Sequence, residues 1–280
     1  MKKYSLFITT LLLGGFLISC NEAASEPGSS DAEVVFNGEN LEGWSFDPKN
    51  WEVVDGVIIG TTDEANPLPY NQFLIWDGAP LEDFELSVQL KLTSDGNNSG
   101  VQYRAVAIEG SDFAVGGYQC DMHPAIWANG MLYDEKGRGI LCKRGSKVVI
   151  NGEGRAFIVG ELPAEPEFDT GEFNTYRVVA KGNHLQHFIN GVQTADVIDH
   201  NEKNRELAGL LAFQIHRGPA MKIEIKDIEL TRLPKAEVIA PDATPIPEGA
   251  EMVNPPKPKG GAKGKSKAPK GKGKAKEKAK

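Results

Sequence analysis

Three cysteines, Cys20, Cys120 and Cys142, are all this 280-residue chain has, and no Cys-x-x-Cys pair occurs. A structural zinc knot is therefore excluded, and a dense disulfide framework with it. A long hydrophobic run is missing too. The apolar stretch Leu6–Ile18 stops well short of the roughly 20 residues that cross a bilayer as a helix. No amphipathic period of 3.6 is sustained anywhere, and no internal repeat shows. Basic residues are scarce before position 254. Residues 254–280 hold eleven lysines and one glutamate, a net of +10, so the total of −8 leaves −18 on the rest. So acidic a body is a poor partner for nucleic acid.

What the chain has is alternation. Phe84, Leu86, Val88, Leu90 and Leu92 alternate with Glu85, Ser87, Gln89 and Lys91, the pattern of a strand with one wet face. Trp51–Val54 and Val57–Gly60 flank Asp55-Gly56, which predicts a hairpin with a tight turn. Met221, Ile223 and Ile225 alternate with polar residues before the apolar parity slips to Ile228 and Leu230; a bulge is expected near Lys226-Asp227. Strands without helices, each with one apolar face, imply two antiparallel sheets packed face to face. About 200 residues are enough for one such domain.

The ends read differently. Lys2 and Lys3 precede the apolar run, which ends in Leu17-Ile18-Ser19-Cys20 and resembles the lipobox of bacterial lipoproteins. Residues 1–19 then form a signal peptide, Cys20 carries lipid, and 20–32 is a flexible spacer. The protein is expected to be exported and held at the cell envelope, on the periplasmic or outer side. Residues 234–280, rich in Pro and Lys, are expected to be disordered. Their basic part suits an anionic surface polymer, or serves only to solubilise. Cys120 shares the apolar parity of Tyr118 and Met122, so a buried free thiol is expected; a Cys120–Cys142 disulfide stays open on spacing alone. His184 and His200 fall at turns and read as surface residues.

Three strands carry polar residues unlike the Glu and Lys of ordinary wet faces. Gln102 and Arg104 lie opposite Val101 and Tyr103; Gln119, Asp121 and His123 lie opposite Tyr118, Cys120 and Met122; Gln214 and His216 lie opposite Leu211, Phe213 and Ile215. Such side chains suit fixed hydrogen bonds to hydroxyls, although a merely solvated face would show the same parity. The segment 124–143, read as a loop, adds Trp127, Tyr133, Asp134, Glu135 and Arg138, with Trp127 either a platform for a sugar ring or an anchor on the sheet edge. Asp121, His123 and His216 together would suit a divalent cation.

Phe36-Asn37-Gly38 through Gly43-Trp44, Asn98-Ser99-Gly100-Val101-Gln102-Tyr103-Arg104, Gly117-Tyr118-Gln119-Cys120-Asp121, Leu132-Tyr133-Asp134-Glu135 with Gly137-Arg138-Gly139, and the segments 174–192 and 209–233 resemble the 3-keto-disaccharide hydrolase family, in the family's order across residues 33–233. The resemblance implies a concanavalin-A-like jelly roll that acts on glycosides already oxidised to a ketone at C3. A base near C2, a positive group or metal at the C3 oxygen and a proton donor would be required. His216 or Asp121 is the candidate base and Arg104 the candidate electrophile. Gln102, Gln119, His123, Trp127, Tyr133, Glu135, Arg138 and Gln214 are candidate substrate contacts. His187 joins them because the family often has a polar residue there, although its parity with Leu185 and Ile189 would bury it. No Glu-x-Asp-x-Glu run exists, which argues against direct acid–base hydrolysis. A non-catalytic carbohydrate-binding module is the competing reading, and a structural envelope protein a third.

Overall fold

The alternating runs form strands and the strands form two stacked sheets in a computed structural model of the chain, which describes residues 32–65, 67–162 and 168–255. Numbered in chain order, one sheet has seven strands in the order β1 (Trp44–Ser45), β4 (Gln72–Trp76), β15 (Leu210–Ile215), β6 (Ser99–Ala107), β7 (Val115–Met122), β8 (Leu132–Glu135), β9 (Gly139–Cys142). The other has nine, in the order β11 (Ala156–Glu161), β10 (Ser146–Ile150), β14 (Val192–Asp199), β13 (His184–Ile189), β12 (Asn174–Lys181), β5 (Phe84–Ser94), β16 (Met221–Arg232), β3 (Val57–Thr62), β2 (Trp51–Val54). Neighbours run antiparallel except β10 and β14, which pair parallel. The fold is a jelly-roll sandwich. Its one helical element among the described residues is a 3-10 turn, Pro241–Ala243.

The core lies between the sheets. Leu74, Val101, Tyr103, Tyr118, Leu132, Phe213 and Ile215 of the smaller sheet face Leu86, Val88, Leu90, Tyr176, Val178, Ile223 and Ile225 of the larger. The β2–β3 hairpin turns at Asp55 (φ 51°) and Gly56 (φ 77°), both left-handed as a type I′ turn demands. The expected bulge falls where β16 shifts register on β5 between Lys226 and Glu229, with Asp227 at φ 51°.

The segment read as a loop over 124–143 instead contains β8 and β9, a hairpin too short and too polar to show a period. Cys120 and Cys142 are both free and buried. Leu132 is the register partner of each, so they sit two strands apart, about 9–10 Å, beyond disulfide reach. His200 is buried rather than on the surface.

The expected disorder from residue 234 does not begin there. The chain from 234 to 255 lies along the sandwich: Asn183 exchanges two hydrogen bonds with the Ile239 backbone, and His200 Nε2 lies 2.7 Å from Thr244 Oγ1. Val253 is 2 % exposed within the core. The segment 1–19, Cys20 and most of the lysine-rich stretch lie outside the described residues.

Candidate active site

The smaller sheet turns its second face outward, and strand parity sorts what stands on it. Gln214 of β15 and Gln119 and Asp121 of β7 share that face with Tyr133 and Glu135 of β8. His216 follows at the end of β15. Together with His123, Trp127, Arg138, Asn98 and Asn71 they line a cavity of about 750 Å³. The segment just before and within β6 holds it in shape. Ser99 Oγ donates to the Gln214 carbonyl at 2.7 Å, and Asn97 Nδ2 donates to the His216 and Pro219 carbonyls at 3.0 and 2.8 Å. A side chain on Gly100 would press against the Cys120 carbonyl and the Gln119 side chain. The Asn-Ser-Gly run is thus a buttress, with Asn98 reaching the cavity itself.

Asp121 is the electrostatic centre. It is 4 % exposed, and burial outweighs its 2.5 Å hydrogen bond from Gln119 Nε2, raising its pKa to about 7. Glu135 pushes it the same way. The Gln119 amide also donates to Gln214 Oε1 at 3.3 Å, tying the floor of the cavity together.

The two histidines are held in opposite tautomers. His123 Nδ1 accepts the Ala125 N–H at 2.9 Å, so in the neutral ring Nε2 carries the proton. His216 Nδ1 lies 2.6 Å from the Arg217 carbonyl, which only accepts; Nδ1 therefore carries the proton and Nε2 is free to accept. Burial lowers both pKa values, and His216 adds to the effect at His123. Trp127, 55 % exposed, stands at the mouth with its ring 6.1 Å from that of His123.

Arg138 lines the wall with its charge already matched. Its guanidinium meets Asp134 at 2.7 Å and Asp199 at 2.8 Å, and the Tyr118 hydroxyl donates to Asp199 at 2.7 Å. Glu135 accepts from Asn71 Nδ2 at 3.2 Å. Asn71, Tyr70, Lys136 and Arg217 also line the cavity. Sequence parity could not find them, since they stand in connecting segments where no period marks a side.

Three expected site residues are elsewhere. Arg104 adopts φ 45° at a bulge where β6 shifts register on β7. Gly209 and Gly117 pack closely against this backbone. The bulge turns Arg104 off the outer face to a fully buried position, where it donates to the carbonyls of Glu82 (2.8 Å) and Gly182 (2.6 Å) and pairs with Asp83 at 2.9 Å. It fastens one sheet to the other and does not reach the cavity. Gln102 is on the expected face but is fully covered and outside the cavity lining, and among the described residues neither amide atom has a hydrogen-bond partner. His187 lies in the core between the sheets, 2.8 Å from the Tyr103 hydroxyl, and burial lowers its pKa to about 4.

A divalent cation does not fit as the sequence suggested. Among the described residues no three His, Cys, Asp or Glu side chains converge as a ligand set. Asp121 is held by Gln119, and His123 Nδ1 is occupied by a backbone amide. No step is therefore routed through a metal.

An acid–base set in a polar, aromatic-rimmed cavity on a jelly roll defines a carbohydrate-active domain. The chain belongs to the family of 3-keto-alpha-glucoside-1,2-lyase-like domains, whose model matches residues 31–231. Solved structures of similar fold include a provisionally assigned glycosyl hydrolase from Parabacteroides distasonis ATCC 8503, at 19% identity and TM-score 0.49, covering 72% of this chain and 94% of that one. The carbohydrate-binding module CBM66 from Bacillus subtilis aligns at 11% identity and TM-score 0.45, covering 68% and 95%. The Bacillus licheniformis beta-glucanase aligns at 11% identity and TM-score 0.42, covering 74% and 100%. No curated protein matches.

Proposed function

We propose that the cavity cleaves 3-keto-glycosides by elimination followed by hydration. One observation carries this: a buried carboxyl with a pKa near 7 shares a cavity with one histidine presenting N–H and another presenting a bare nitrogen. Asp121 is the base, since a pKa near the working pH combines ionisation with basicity, while both histidines are neutral there.

The ketone at C3 makes the C2 proton removable. Asp121 takes that proton, and the C–H electron pair becomes the enolate. His123 Nε2–H donates to the C3 oxygen as charge develops on it. The enolate collapses to a C1–C2 double bond, the C1–O bond breaks, and the leaving oxygen receives the proton. Water then adds its hydroxyl to C1 and its proton to C2, with His216 Nε2 as acceptor, giving a net hydrolysis with no redox change. Gln119 and Gln214 hold hydroxyls of the ring, and Trp127 packs on its face.

Asp121→Asn should lower kcat on a 3-keto-glucoside by about a thousandfold or more while binding persists. Exchange of the C2 proton with heavy water should vanish in parallel. Full turnover by this variant would remove Asp121 from the role; binding by the unaltered protein with neither exchange nor cleavage would make it a carbohydrate-binding module.

Export and a lipid on Cys20 belong to the same proposal, motivated by Leu17-Ile18-Ser19-Cys20. Cys20→Ala should move the protein from the membrane fraction to the soluble one with its fold intact. Retention of the variant on membranes in high salt would exclude lipid as the anchor.

A further inference from the structure

The larger sheet spends three buried polar side chains on one connecting segment of the smaller sheet. Tyr176 of β12, His187 of β13 and Thr194 of β14 stand on neighbouring strands and are at most 1 % exposed. The Tyr176 hydroxyl donates to Asn129 Oδ1 at 2.7 Å, and Thr194 Oγ1 donates to the Gly130 carbonyl at 2.9 Å. His187 Nδ1 lies 3.3 Å from the same carbonyl. A carbonyl only accepts, so Nδ1 carries the proton and Nε2 takes the Tyr103 hydroxyl. Gly130 is left-handed at φ 79°, and a side chain on it would collide with Thr194 and Ile189. The turn is thus pressed onto the core as well as bonded to it.

Residues 123–131 join β7 to β8 and have two sides. His123, Trp127, Ala128 and Met131 line the candidate active site, while Asn129 and Gly130 meet the core. Asn129 is where the sides join. Its Oδ1 also accepts the His123 N–H at 3.1 Å, so one amide links the His123 backbone to the opposite sheet. The His123 ring is then oriented from within the segment, where the Ala125 N–H donates to Nδ1 at 2.9 Å. The Gly130 N–H donates to the Asp121 carbonyl at 2.7 Å. For packing alone, phenylalanine, leucine and valine would fill these three places with no polar atom to pair. Each of the three instead directs a polar atom at Asn129 or Gly130.

We infer that Tyr176, His187 and Thr194 are positioning residues: from the core of the opposite sheet they fix the Asn129-Gly130 turn, and through it the direction of the His123 Nε2–H bond. The effect on turnover rests on reading His123 as the donor to the C3 oxygen. The orientation of the ring does not, and it can be observed without substrate.

Thr194→Val and Tyr176→Phe each delete one hydroxyl with little change of shape. The ring nitrogens of His123, followed by nitrogen NMR at neutral pH and assigned by their loss in His123→Gln, should show the single Nε2–H tautomer in the unaltered protein. A mixture of tautomers is expected in either variant, and Thr194→Ser, which keeps the donor, should restore the single one. His187→Asn sets an amide N–H where Nδ1 stood and should behave like the unaltered protein; His187→Leu should not. On a 3-keto-glucoside, Thr194→Val should lower kcat about tenfold or more and leave KM within about twofold. Ile58→Val, a buried change in β3 of the same sheet, controls for lost stability alone: it should melt lower with His123 and kcat unaltered. A single Nε2–H tautomer in the folded double variant Thr194→Val, Tyr176→Phe overturns the inference, as does an equal mixture in Ile58→Val. A mixed tautomer in these variants of a protein that never cleaves the keto-glucoside would uphold the positioning role and count against the proposed reaction alone.

Discussion

Asp121 places a cost on the fold that depends on pH. Its pKa is raised from an ordinary carboxylate value to about 7, so the folded protein favours the neutral form more than the unfolded chain does. Stability from this group is fully present below about pH 4 and is lost as pH rises to about 7. Asp121→Asn should therefore be near neutral for the melting temperature at pH 4 and stabilising at pH 8, as thermal unfolding across that range would reveal. The same ionisation is needed for proton removal, so kcat/KM should rise toward a plateau above about pH 7. A variant that gains stability at pH 8 while losing turnover would show a residue kept for chemistry against the interest of the fold. Equal melting temperatures for the two proteins at pH 8 would mean that the fold does not raise the Asp121 pKa.

At the scale of elements, the bulge in β6 decides which polar side chain is structural. Arg104 spends its guanidinium on the backbone carbonyls of Glu82, Gly182 and Glu206 and on Asp83. Its loss leaves a buried carboxylate without its cation, typically about 3–5 kcal/mol. Arg104→Ala should lower the denaturant midpoint sharply yet leave turnover per folded molecule unchanged; loss of turnover at an unchanged midpoint would return Arg104 to the site. Alternation alone assigned Gln119, Asp121, Gln214 and His216 to the right face, because these strands run straight through the cavity floor. It failed one residue after Tyr103, since a left-handed arginine carries no sequence mark comparable to Asn-Gly. The glycines opposite, Gly117 and Gly209, record the bulge only once their strands are aligned. His187 followed its parity into the core, where the family pattern had suggested the site. The β8–β9 hairpin escaped notice because four-residue strands show too few periods, and Asn71 and Arg217 because their position depends on contacts more than 140 residues apart in the chain.

On the scale of the whole molecule, the order of strands sets a schedule. β16 lies between β3 and β5 in the nine-stranded sheet, so two segments made early remain apart until the chain has been built through Arg232. The strap after it closes over β11 and β9 only then. Nothing short of this length can complete the sandwich, and a ribosome-tethered chain ending before β16 should be digested readily by protease. The full 280-residue chain followed by a linker long enough to clear the exit tunnel should resist. The central place of β16 therefore makes folding a single late event rather than a progressive one, and every shorter chain waits with its strand edges open.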